Sequence, residues 1–267
     1  MNFRKFTLKH VTLVTLAPAI IVWGIIVALT YSQIQYAGYA GIAAMAVMFL
    51  TSFALRKYHA SFMKKAEEKL YDDCDPFPMA HELDLYLECA NRRVDKTGLK
   101  ITRAIMTSLT GEHEKAESEL KDINLSSAPD SARAGVLYAL ASVYCAMNMR
   151  EHAIDFYDRA KDLILSLPDA AQARIKFDGL TDAEVKCYKG FPEEGLRMLD
   201  ALDADRKYKQ VMKAFSHAKI SYIAGDKPCA VEEFEWVAAN GGRLFCAAES
   251  AEIAKTARER AAASAAE

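Results

Sequence analysis

The stretch LYALASVYCAMNMREHAIDFYDRA, Leu137–Ala160, decides the fold. Leu137, Leu140, Ala141 and Tyr144 recur at the three- and four-residue spacing of one helix face. Past Asn148 the pattern restarts, with Ala153, Tyr157 and Ala160 on one face of a second helix. The same design recurs on both sides. Ala104, Gly111, Ala116 and Leu120 form one copy, Ala183, Gly190, Gly195 and Leu199 another, and Ala218, Gly225, Ala230 and Phe234 a third. Ala116, Ala153, Gly195 and Ala230 stand 37, 42 and 35 residues apart. Breakers such as Thr110-Gly111, Ala128-Pro129-Asp130 and Ala224-Gly225-Asp226 separate the segments, and little beyond Pro78 alternates as a strand would.

These positions resemble the tetratricopeptide repeat (TPR) family over roughly 95–242. Leu137, Leu140, Ala141, Tyr144, Ala153, Tyr157 and Ala160 match seven signature positions, with Leu137 in place of the usual Trp and Asn148 in place of the usual Gly. The resemblance implies an all-α chain whose C-terminal part is a solenoid of about four helix pairs. Small residues sit where two helices cross, and Ala153 is expected at the closest crossing of its pair. One pair cannot bury its apolar face, so stacked pairs share one core and their first helices line a concave groove. Gly111, Gly190 and Gly225 supply the permissive backbone between helices. Residues 79–91 and 243–263 read as capping helices.

In the register set by Ala141, Ala183 and Ala218, the groove positions fall near Tyr138, Ser142 and Cys145, then Phe177, Leu180, Glu184 and Cys187, then Met212, Phe215, Lys219 and Tyr222. TPR co-chaperones grip a terminal carboxylate with several Lys, Arg and Asn residues at such places. Only Lys219 is basic here, so that clamp is missing. The aromatic and apolar remainder suits an amphipathic helix or an extended apolar peptide, or packs against the next repeat or the C-terminal helix.

Toward the N-terminus, Asp72-Asp73-Cys74-Asp75-Pro76-Phe77-Pro78 stops a helix, since two prolines within three residues cannot continue one. Before it, 56–71 reads as a basic helical neck. Val11–Ser32 and Ala37–Leu55 are charge-free apolar runs of 22 and 19 residues. As helices they reach about 33 and 28 Å, against a hydrocarbon core of roughly 30 Å. The expectation is a transmembrane hairpin within 1–55, with spans at about 11–32 and 37–55, tethering a domain over 72–267. The first run is longer than the core of a cleaved signal peptide, and a second follows at once. Lys and Arg flank both outer ends and the turn carries no charge, which puts both termini in the cytoplasm, at a plasma membrane or a bacterial inner membrane. Tyr31, Tyr36 and Tyr39 gather at the turn. Ala37, Ala40, Gly41 and Ala44 let helices approach closely, within the hairpin or with a second copy. The spans contain no Asp, Glu, Lys, Arg or His, which argues against a channel or transporter.

Eight of the 34 Lys/Arg and two of the 36 Asp/Glu lie in 1–71, so this part is net +6 and the rest net −8. A basic collar suits anionic lipid headgroups, whereas an acidic distal domain is a poor match for nucleic acid. The six cysteines form no C-x-x-C pair and read as buried free thiols of a reducing compartment. His81-Glu82 opens like a zinc-protease motif, but Leu85 stands where the second His belongs. His113, His152 and His217 lack a matched catalytic partner in sequence, and Glu193, Glu194, Glu232 and Glu233 suit helix N-termini. No metal or cofactor is expected and no enzymatic activity. The expected function is a membrane-tethered adaptor that binds a protein or peptide. The alternatives are an enzyme with a nonstandard site on a helical-repeat scaffold and a structural membrane protein that binds only itself.

Overall fold

The computed structural model describes residues 3–29, 37–89, 96–126, 128–168 and 179–265, and among these every regular element is a helix. In chain order they are α1 (Phe3–Lys9), α2 (Val11–Leu29), α3 (Ala37–Asp73), α4 (Phe77–Cys89), α5 (Thr97–Leu109), α6 (His113–Lys121), α7 (Asp130–Ala146), α8 (Arg150–Leu165), α9 (Gly179–Tyr188), α10 (Pro192–Asp200), α11 (Lys207–Ala224), α12 (Lys227–Asn240) and α13 (Phe245–Ala265). They form two compact units, Met1–Ala66 with Asp84–Val94, and Glu67–Leu83 with Asp95–Glu267.

In the larger unit α5 packs on α6, α7 on α8, α9 on α10 and α11 on α12. Each pair turns the corner in the same way. Gly111, Asn148, Gly190 and Gly225 all take the left-handed backbone, with φ of 92°, 56°, 92° and 99°. At each, the turn residue's N–H bonds to the carbonyl three residues back, as Gly111 does to Ser108 at 2.9 Å. The next N–H reaches five residues back: Glu112 to Thr107, Met149 to Tyr144, Phe191 to Lys186 and Asp226 to Ser221, at 2.9–3.2 Å. These two hydrogen bonds satisfy carbonyls that a helix end leaves orphaned. Asn148 is the only non-glycine of the four, and asparagine is among the few residues that tolerate this conformation.

Where the pairs cross, the small residues are fully buried: Ala104 and Ala116, Ala141 and Ala153, Ala218 and Ala230. The α9–α10 crossing is tighter still, because a Cβ on Gly195 would lie 2.7 Å from the carbonyl oxygen of Ala183. Between pairs the core gathers into two clusters. Leu120 and Ile123 meet Val136, Leu140 and Tyr144 of the next pair, and these in turn meet Val185 of α9. Leu199 then packs with Ile220 of α11. Each such large side chain contributes about 1.5–3 kcal/mol through burial. The C-terminal helix α13 packs on α12 and buries Cys246, Ser250 and Ala254, one turn apart.

The acidic segment closes α3 as a helix stop. Cys74 has a positive φ of 55°, and its carbonyl accepts from the N–H of Arg243 at 3.0 Å. All three carboxylates are paired. Asp72 receives both Nε and Nη2 of Arg206 at 3.1 and 2.8 Å, Asp73 pairs with Lys69 at 2.6 Å, and Asp75 pairs with Arg243 at 3.2 Å.

In the smaller unit α1 lies against the part of α3 that follows the apolar run. The Arg4 guanidinium stands 3.9 Å over the Phe62 ring, and Thr7 Oγ1 is 3.3 Å from His59 Nε2. Lys5 pairs with Glu88 of α4 at 2.5 Å. Among the described residues no helix is long and apolar enough to cross a membrane. Described side chains run from Val11 to Ile25 in α2, and from Ile42 to the charges at Arg56 and Lys57 in α3. The expected turn at 33–36 lies outside the described residues. Both stretches leave large apolar side chains in the open: Leu13, Ile20 and Ile21 in α2, and Ile42, Phe49 and Leu50 in α3 are each more than half exposed.

Candidate partner-binding groove

The side chains expected to line a concave groove converge, but on a nearly closed space. Ser142, Leu180, Glu184, Met212, Phe215 and Lys219 surround a cavity of only about 60 Å³. Phe245, the first residue of α13, fills the rest. Its ring stands edge-on to Phe215 (5.6 Å, 89°) and to His113 (4.7 Å, 89°). Tyr138, buried at 6% exposure, does not face the cavity; its hydroxyl donates to Asp182 at 3.1 Å and its ring lies by Tyr157. Cys145 is buried and lines the cavity, Cys187 is buried, and Phe177 lies outside the described residues. Tyr222, the remaining expected position, is 39% exposed and belongs to a different opening.

Lys219 is not available as a basic contact on this inner face. Its Nζ lies 2.7 Å from Glu184 Oε2 and donates to the Cys145 carbonyl at 2.8 Å, while Ser216 Oγ donates to Glu184 Oε1 at 2.6 Å. Burial alone would pull the Lys219 pKa down, but the Glu184 carboxylate outweighs it and holds the ammonium above its ordinary range. The group therefore stays charged, inside a packed interior where breaking the pair is expensive. This network ties α7, α9 and α11 together.

The open groove lies beside it, between α13 and the neighbouring helix ends, with a volume of about 1030 Å³. Its apolar walls are Tyr222 and Ile223 from the last turn of α11, Pro228 and Val231 from the start of α12, and Ile253 and Ala257 from α13. The turn at Gly225 aims α12 here, and Asp226 caps that helix by accepting from the Cys229 N–H at 3.3 Å. Lys219 and Glu249 reach the groove from its inner end. Burial raises the Glu249 pKa, against the pull of Lys219 and of the Asn148 amide, which donates to it at 3.4 Å. Arg150, Lys227, Arg258 and Arg260 stand exposed along the rim, with Glu232 and Glu252.

The sequence reading missed this wall of α13, having taken 243–263 only as a cap. The available signal is the spacing Glu249, Ile253, Ala257 and Arg260, one face of a helix. The histidines have structural partners. His113 Nδ1 is 2.9 Å from Ser108 Oγ, His217 Nδ1 is 2.8 Å from Glu233, and the His152 ring lies by Tyr144. Burial, with the nearby Lys219 charge, lowers the His113 pKa. The six cysteines are free thiols, and among the described residues no group of three His, Cys, Asp or Glu side chains is placed to hold a metal. The arrangement offers a large apolar trough with a charged rim. Comparison with known proteins finds no matching family model, no matching curated protein and no matching solved structure.

Proposed function

We propose that this chain is a membrane-tethered scaffold of tetratricopeptide type, which holds a segment of a partner protein in the groove along α13. The groove carries the reading: it is large, open, apolar at its walls and ringed by charge, the usual make-up of a site for a folded peptide segment. The recurrent turns at Gly111, Asn148, Gly190 and Gly225, with small residues at each crossing, support the tetratricopeptide assignment.

The tether rests on a separate observation. The exposed apolar faces of α2 and early α3 exceed what a protein leaves open to water without cost, and neither contains a charge before Arg56. The contacts of Arg4 and Thr7 with Phe62 and His59 put the entry to α2 beside the exit from the α3 apolar run. Two crossings then return the chain to the side it left, and the flanking bases make that side cytoplasmic.

A photo-crosslinking residue at Ile253 tests the scaffold reading, with Leu165 as the control position, exposed on α8. A defined adduct at 253 that is absent at 165 is expected, and equal labelling at both ends the groove reading. Alkaline carbonate extraction tests the tether. Retention in the membrane pellet is expected, and full release into the supernatant ends it.

A further inference from the structure

We infer that the inner end of the groove along α13 receives a basic side chain, a Lys or Arg that the partner segment carries among apolar residues, with the Glu249 carboxylate as its counter-ion. This rests on reading the groove as a partner site and adds the partner's chemistry.

The rim offers no surplus of either sign. Arg258 pairs with Glu235 at 2.5 Å and Arg260 has an interaction of its own, while Arg150 and Lys227 are matched in number by Glu232 and Glu252. The inner end, by contrast, is short of positive charge. One ammonium, Lys219, stands there with two carboxylates, Glu184 and Glu249. That ammonium is bound to Glu184 at 2.7 Å and to the Cys145 carbonyl at 2.8 Å. Among the described residues no cation pairs with Glu249, whose hydrogen bond comes from the Asn148 amide at 3.4 Å. Burial raises the Glu249 pKa in spite of Lys219, so the ionised carboxylate is held there at a cost that a cation beside it would remove.

The neighbouring atoms favour a donor-rich group. Asn148 turns its Nδ2 toward Glu249, which leaves Oδ1 of the same amide beside the carboxylate as a further acceptor. An ammonium or guanidinium carries several N–H donors and no acceptor, so it can serve both oxygens, whereas another carboxylate would bring acceptors alone. The walls set the rest of the ligand. Tyr222, Ile223, Val231, Ile253 and Ala257 line the groove with apolar surface. A Lys or Arg stem lays its methylenes along such surface and carries its charge to the far end. A small hydrophilic cation would meet the carboxylate but leave these walls in water, so the charge belongs on an apolar stem. Apolar residues on either side of it in the partner fill the remaining space.

The test is selection from a display library of random 16-residue peptides on the full-length chain in lipid nanodiscs. The library is also run on Glu249→Gln and on Ala257→Trp, which fills the groove. Both variants are checked for unchanged helicity and for a Tm not below the parent's, and Tyr222→Ala replaces Ala257→Trp if the tryptophan fails that check. Enriched peptides should share a Lys or Arg set among apolar residues. They should lose about tenfold or more of their affinity on Glu249→Gln, and as much on the wall variant. Replacing the shared basic residue by Met should cost a peptide the same factor on the parent chain and nothing further on Glu249→Gln. Peptides lost on the wall variant but indifferent to Glu249→Gln would overturn the basic assignment and leave the groove standing. Peptides that bind all three proteins alike, or no enrichment at all, would overturn both.

Discussion

The inner face of the helix pairs and the trough along α13 share one residue, Lys219, and otherwise differ in nearly every respect. The inner face has shrunk to about 60 Å³ around Phe215, whereas the trough holds about 1030 Å³. The inner face is built from the positions that repeat from pair to pair. The trough is closed on one side by what does not repeat, one face of the Ala-rich α13, set against the helix ends at the Asn148 and Gly225 turns. A repeating pattern is a pattern of packing, because each copy must bury the same face against its neighbour. The face of α13, which has no counterpart in the repeat, is the one that leaves a space open.

The largest expected effect tests whether the inner face is interior. Lys219→Met leaves Glu184 charged in a packed space with Ser216 as its one remaining hydrogen-bond donor among the described side chains. Unfolding in urea should show a loss of about 3–5 kcal/mol. Adding Glu184→Leu to the same chain should recover most of it, because the cost lies in the unpaired charge. A loss below about 1 kcal/mol in Lys219→Met would mean that water reaches the pair and the face is open.

A second, smaller effect tests the crossings. Gly195→Ala drives a Cβ to 2.7 Å from a backbone carbonyl and 3.3 Å from Ile220 Cδ1, and the carbonyl has no room to give. The expected loss is about 1–3 kcal/mol. At Gly190 no atom lies within 4 Å of an added Cβ, but its φ of 92° strains any side chain. Gly190→Ala should therefore cost less, about 1 kcal/mol, through the backbone alone. Equal losses at the two sites would say that α9 and α10 cross less closely than the distances indicate.

These crossings and turns were legible in the sequence because they recur. Gly111, Asn148, Gly190 and Gly225 stand out as turn residues at a fixed offset from a small residue, and each proves left-handed. The filled inner face was open in the sequence as an alternative, packing against the C-terminal helix, but the residue that fills it was not. Phe245 comes from a helix with no counterpart in the repeat, and no local spacing says that it folds back onto Phe215. The trough was hidden for the same reason: Asn148 meets Glu249 across 101 residues of chain. Lys219 misled in a further way, since one base in an apolar register looks like a ligand contact until its buried partner Glu184 is seen.

The trough should respond in the opposite sense, with binding lost and stability kept. Tyr222→Ala removes a ring that is 39% exposed and in which no core residue is anchored. Its unfolding free energy in urea should stay within about 0.5 kcal/mol of the parent. The photo-crosslink from position 253 should disappear. A midpoint that falls with the crosslink intact would reverse the contrast between the two faces.

The smallest effect is a pH dependence at the one place where the two faces meet. Glu249 is pushed up first by burial and also by Glu184 and Glu252, while Lys219 and Asn148 pull it down. Its folded pKa lies above the ordinary 4.5, so the folded state binds the proton more tightly than the unfolded chain does. The stability tied to that proton is complete below pH 4.5 and is lost as pH rises through the folded value. Glu249→Gln keeps the shape and the Asn148 contact and removes the charge. At neutral pH it should melt slightly higher than the parent, by about 1–2 °C, and the gap should close as pH falls toward 4. A gap that instead widens at low pH would mean that Lys219 outweighs burial at Glu249. The inner end of the trough would then present a standing carboxylate, able to receive a cationic group.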